Sequence, residues 1–289
     1  MVRGCLEDGE IIMKYELTTD GERLAYTLNR DLLGCVPWHQ ITLPLMVTGR
    51  GEELTEFFRE VSVINLTCRI IRGGTSLLKK TDQRPARMPD DPTFERDYRS
   101  FLRERLSIPH DMVDQIQRMG VRAVLASREE IDDKTRRQLT GQAQRTHNYC
   151  YMCGQPLDFS GADPIRKYQL EHVWPQCYGG NSIADNLLPA CGSCNGKKDE
   201  FATWAMVGVQ SLILGFDPSE NEFTRVTGPH RFALHYFMAR QLLARNPQMN
   251  LKRAFQRLQP WRKDFRLRDS SDLGDFFNLE NHEPIPGVV

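Results

Sequence analysis

The chain has 289 residues, of which 40% are hydrophobic and 26% charged, so it carries enough apolar material for a core and is not a disordered tail. No run approaches the roughly eighteen apolar residues of a membrane span, and the opening MVRGCLEDGE lacks the apolar centre of a secretory leader, so a soluble, cytoplasmic protein is expected. With 38 Lys and Arg against 38 Asp and Glu, the net charge of zero excludes a surface that is basic throughout. Any polyanion binding must come from local charge.

In chain order, residues 10 to 78 favour strands at Ile11–Leu17, Leu24–Leu28, Ile41–Val47 and Val61–Ile70, with a helix over Glu52–Glu60. Residues 1–78 thus read as a small mixed α/β domain without a catalytic motif, free to contact a protein partner, a target or the rest of the chain. Polar, proline-containing sequence around Gly73–Pro92 reads as a linker. Asp91-Pro-Thr opens a helix through Leu106, with Phe94, Tyr98, Phe101 and Leu102 on one face. Further helical runs follow His110 and span about Arg128–Ala143, making residues 79–145 a helical connector.

Two C-x-x-C pairs come next, Cys150/Cys153 and Cys191/Cys194. Each lets two thiolates converge, so together they can complete a tetrahedral structural zinc site. A thioredoxin-like redox motif explains one pair but not two. The scattered Cys5, Cys35, Cys68 and Cys177 read as buried or free thiols.

Between the pairs, Tyr168–Pro175 alternates like a short strand, Gln176–Asn181 turns on Gly179-Gly180, and Ser182–Ala190 reads as a turn and a second strand. A helix opens at Asn195 and continues to Trp204. This is a ββα unit over residues 146–205, giving an α+β class overall. Inside it lie Glu171, His172, Asn186 and Asn195, which supply a carboxylate, an imidazole and two amides. Such groups can hold a hard divalent cation through oxygen and activate water near neutral pH. A regular strand would turn Glu171 and His172 to opposite faces, so a bulge or strand end is needed to unite them.

Residues 206–289 return to helix. Phe201–Leu214 is apolar nearly all round and reads as a buried helix. Residues 231–268 hold ten Lys or Arg against one acid, Asp264, interleaved with aromatics such as Tyr236, Phe255 and Trp261. That mixture suits phosphate contact and base stacking, and equally a helical subdomain with an aromatic core. Arg253, Arg257, Arg262 and Lys263 are the nucleic-acid-binding candidates, because residues 143–200 carry only five Lys or Arg against six Asp or Glu. The acidic end, Asp269–Val289, reads as a loosely ordered tail.

The segment LEHVWPQCYGGNSIADNLLPACGSCNGKK resembles the core motif of HNH endonucleases. That motif strings together an acid–His pair, a hydrophobic residue, a proline, a Gly-Gly turn, Asn-Leu, and a cysteine knuckle followed by Asn or His. The resemblance implies that His172 is the general base and that Glu171 and Asn195 bind a catalytic Mg²⁺ or Mn²⁺. It implies that Asn186 braces the loop that orients His172. This chain departs in having Glu171 where Asp is common and Asn195 where His is common. The activity so implied is that of a divalent-metal-dependent DNA endonuclease, of the kind found in bacterial restriction, mobile-element and anti-phage defence settings. One such unit cuts one strand, so duplex cleavage implies a homodimer or sequential nicks. The alternative is a noncatalytic zinc-stabilised module that binds nucleic acid.

Overall fold

The computed structural model describes residues 15–34, 36, 51–79, 88–203, 205–206, 220–258, 260, 266–267 and 282–283. Its first helix, α1 (Asp20–Thr27), is started by a capping box and continues as a π turn over Leu28–Leu33. The Thr19 hydroxyl accepts the Glu22 amide at 3.1 Å, and the Glu22 carboxylate accepts the Thr19 amide at 2.9 Å. A long α2 spans Gly51–Leu78, followed by α3 (Pro92–Ser100, N-capped by Asp91), α4 (Val113–Ala126) and α5 (Asp133–Thr146).

The expected strands Leu24–Leu28 and Val61–Ile70 are therefore helical, and the mixed α/β reading of residues 1–78 is corrected for the residues described. The physical reason is periodicity. Phe57, Glu60, Ile64, Thr67, Ile71, Gly74 and Leu78 are all buried and recur every three or four residues along α2, a helical stripe that outweighs the strand preference of Val and Ile. The linker also starts later than expected, since α2 runs on to Leu78. At Gly74 a Cβ would meet Val124 at 2.6 Å, so glycine lets α4 approach closely. Ile11–Leu17 lies largely, and Ile41–Val47 wholly, outside the described residues.

Helices α1 to α4 bury Leu24, Leu28, Ile70, Tyr98 and Ile116 in one core. A second core gathers around the cysteine pairs and takes Phe57, Val63 and Ile64 from the same α2. Into that core also go Tyr236 and Phe255 from α7 (Glu220–Arg245) and α8 (Leu251–Leu258). The chain is mostly helical, with a small antiparallel sheet of β1 (Tyr168–His172) and β2 (Leu187–Cys191), and a two-residue pairing of β3 (Arg266–Leu267) with β4 (His282–Glu283).

Strand β1 pairs with β2 in a regular register from Tyr168 opposite Cys191 to His172 opposite Leu187. Helix α6 (Gly192–Lys198) follows at once, N-capped by Cys191. It ends at Asp199, whose φ of 43° is left-handed, so the expected helix to Trp204 is cut short. Phe201–Thr203 is not helical, and beyond Met206 the expected buried helix lies outside the described residues.

Long-range contacts fix the unit in place. The Asp20 amide donates to Asn181 at 2.8 Å and the Thr203 hydroxyl to Glu60 at 2.9 Å. From the other end, Lys252 on α8 donates to the Ala184 carbonyl at 2.6 Å. Among the described residues, no helix is long and apolar enough to cross a membrane.

Candidate active site and metal centre

The first C-x-x-C is a closed turn: the Cys150 amide donates to Gln155 at 2.9 Å and the Gly154 amide to Cys150 at 2.8 Å. Gly154 sits at φ 70°, where other residues are strained. The second pair straddles the end of β2 and the start of α6, with the Cys194 amide donating to the Cys191 sulfur at 3.4 Å. The Tyr151 amide joins the two through the Pro189 carbonyl at 3.0 Å.

The sulfurs of Cys150, Cys153, Cys191 and Cys194 all lie within 4.8 Å of one another, and Cys153 is 3.8 Å from Cys191. A tetrahedron with Zn–S bonds of about 2.3 Å has S–S edges of about 3.8 Å. All four are free thiols. Four converging thiols with these dimensions could hold a zinc ion, and Cys177 stays outside the group.

His172 ends β1. Its Nε2 lies 2.9 Å from the Ser182 hydroxyl, which donates its only proton to the Glu129 carbonyl at 2.7 Å. Ser182 must then accept from His172, so Nε2 carries the ring proton and Nδ1 carries the lone pair. Burial, and secondarily the charge of Lys198, pull the imidazole down to about 4, so it is neutral at physiological pH. Ser182 is buried and already donating, which makes it an orienting group rather than a nucleophile. Sequence reasoning missed this residue. Its partner Glu129 lies in the α4–α5 connection, and no local pattern announces the pairing.

Asn186 closes the loop that leaves and re-enters the sheet. Its Oδ1 accepts the Trp174 amide at 2.8 Å, and its Nδ2 donates to the carbonyls of Trp174 and Asn181, each at 3.0 Å. Gly180 is required beneath it, because a Cβ there would lie 2.0 Å from the Trp174 carbonyl oxygen.

Glu171 points the other way. With no bulge in the register, it faces the second core, and only 3% of it is exposed. The Tyr151 hydroxyl donates to one carboxylate oxygen at 2.7 Å, and Lys198 forms an ion pair with the other. Lys198 is itself buried, also donates to the His172 carbonyl at 3.0 Å, and lies 5.8 Å over the Tyr236 ring. Burial raises the Glu171 carboxyl above its usual range, against the lowering effect of Lys198.

Asn195 is half-buried, and its Nδ2 donates to Gln169 at 2.7 Å. Glu171 and Asn195 do not form a ready cation site beside His172 in this arrangement, because the carboxylate is committed to Lys198. Replacing Lys198 with Met is expected to cost about 3–5 kcal/mol in urea unfolding, since it strands a buried carboxylate. Adding Glu171→Gln to that variant should return most of the loss. No recovery would mean that packing rather than charge is at stake.

The basic candidates divide. Arg253 and Arg257 are exposed, four residues apart on α8, whereas Arg262 and Lys263 lie outside the described residues. Tyr236 and Phe255 are buried and so cannot stack on bases. No known protein family matches this chain, and neither a curated protein nor a solved structure matches it.

Proposed function

We propose that the chain is a zinc-stapled HNH-type endonuclease hydrolysing phosphodiester bonds in DNA. The carrying observation is the chain His172 Nε2–Ser182 hydroxyl–Glu129 carbonyl, which fixes a neutral imidazole with Nδ1 available as a base. Water approaching the phosphate would give its proton to Nδ1, and the hydroxyl behind the ring would hold it in line. Asn186 positions the loop that carries this hydroxyl. A divalent cation, Mg²⁺ or Mn²⁺, would neutralise charge on the phosphate and leaving oxygen. For Glu171 to hold it with Asn195 beside His172, the carboxylate has to leave Lys198 and turn out of the second core, and Lys198 now supplies the counter-charge at that position.

A DNA substrate, a cytoplasmic setting, a role in defence, homodimerisation and a protein partner for the N-terminal region belong to the same reading. Exposed Arg253 and Arg257 support the DNA contact. The committed Glu171–Lys198 pair favours a second reading, a noncatalytic zinc module that binds nucleic acid.

Incubating the purified protein with supercoiled plasmid and Mg²⁺ or Mn²⁺ separates the two. Nicking supports the enzyme, and intact plasmid with either ion supports the module. Ser182→Ala is expected to lower the nicking rate about tenfold, the worth of roughly one hydrogen bond. In the parent, imidazole ¹⁵N shifts should report His172 protonated at Nε2, and in the variant a mixture of tautomers. An unchanged tautomer would remove Ser182 from the positioning role.

A further inference from the structure

An open groove of about 590 Å³ runs between α5 and β1, within the size range of small-ligand sites, about 300–1,000 Å³. Arg136 on α5 and Lys167 just before β1 form its rims, and no carboxylate lines it. Both cations are exposed, and neither has an ion-pair partner among the described residues. The rings of Phe159 and Tyr168, stacked at 4.7 Å between centroids, also line the groove. The Thr140 hydroxyl, 3.3 Å from the Tyr168 phenol, steadies the second ring. Gln169 and Asn195 offer amide edges.

We propose that this groove binds an unpaired nucleic-acid strand, with Arg136 and Lys167 on its phosphates and the Phe159–Tyr168 pair as a stacking platform for a base. The inference rests on the nuclease reading for its chemistry but not for its binding. Exposed cations flanking paired aromatic rings are the arrangement that holds single strands, whose bases have free π-faces. Bases inside a duplex are covered above and below by their neighbours and cannot reach rings recessed in a groove. Tyr168 and Leu170 line the groove, and His172 follows on the same face of β1, about 6.8 Å further along by strand geometry. A strand seated here is led towards the imidazole.

The test is fluorescence anisotropy of the zinc-loaded full chain, without added divalent metal, against a labelled 12-nucleotide single strand, its RNA counterpart and the matching duplex. The single strand should bind at least tenfold tighter than the duplex at the same salt, with the two sugar arms showing whether DNA or RNA is preferred. Arg136→Gln with Lys167→Gln should lower the slope of log affinity against log salt by about 1.4, the loss of two phosphate contacts on a single strand. Phe159→Leu keeps the bulk but removes the ring, and should weaken binding about tenfold with the slope unchanged. Duplex binding as tight as the single strand, or parent-like binding by the double variant, overturns the proposal. A protein that binds this way but never nicks plasmid defeats the nuclease and leaves the groove. One that nicks but ignores single strands does the reverse.

Discussion

Replacing His172 with alanine is expected to slow plasmid nicking by about 10²–10⁴-fold, the usual worth of a positioned general base. Neighbours fix both the protonation and the orientation of the imidazole. Ser182 holds Nε2, burial keeps the ring neutral, and the lone pair is left on Nδ1. Its removal should cost little structure, because His172 is half-buried at the end of β1 and the register of the sheet is set by backbone pairing. Zinc content and urea midpoint should therefore stay close to the parent. Nicking by His172→Ala at the parent rate would defeat the assignment of the base. A variant that loses zinc as well as activity would show that the residue is structural.

Removing zinc is expected to have the larger effect on the fold. In zinc-finger peptides, structural sites contribute about 10–16 kcal/mol near neutral pH, comparable to the whole stability of a domain, about 5–15 kcal/mol. Chelation, or Cys191→Ser, should release the turn at Cys150, the end of β2 and the start of α6 together, because one cluster ties all three. Hydrogen exchange should then show the amides of β1 and β2 losing protection. Those of α4 should keep theirs, since the core of Leu24, Ile70, Tyr98 and Ile116 contains no zinc thiol. Metal analysis should find one zinc per chain, restored on refilling. Unchanged exchange in a zinc-free protein would mean that the thiols only pack.

The four-thiol cluster was legible because two C-x-x-C turns have few uses other than holding a metal, and the four sulfurs do converge. The two strands were legible from alternation and from the Gly179-Gly180 turn. The N-terminal helices were misread because Val and Ile signal strand locally, while the burial stripe of α2 from Phe57 to Leu78 becomes visible only over about six turns. Thr19-x-x-Glu22 carries the capping-box spacing that starts α1. Alternation alone separates the faces of Glu171 and His172, and the bulge expected to unite them is not in the register of β1 and β2. What no sequence pattern could supply is the partner of each: Lys198 lies 27 residues from Glu171, and Glu129 lies 53 residues from Ser182. Those pairings belong to tertiary packing.

The hydrogen bonds that anchor the unit span 161 residues between Asp20 and Asn181, and 143 between Glu60 and Thr203. Lys252 and Phe255 close the same assembly from the far side. On a ribosome adding about 5–20 residues per second, Phe255 is made about 3–12 seconds after Cys194. For that interval the nascent chain has its thiols and its imidazole, but neither the α8 anchor under Ala184 nor the full second core. On the nuclease reading, a chain ended before α8 is expected not to nick plasmid, since the second core that seats β1 is incomplete without Phe255.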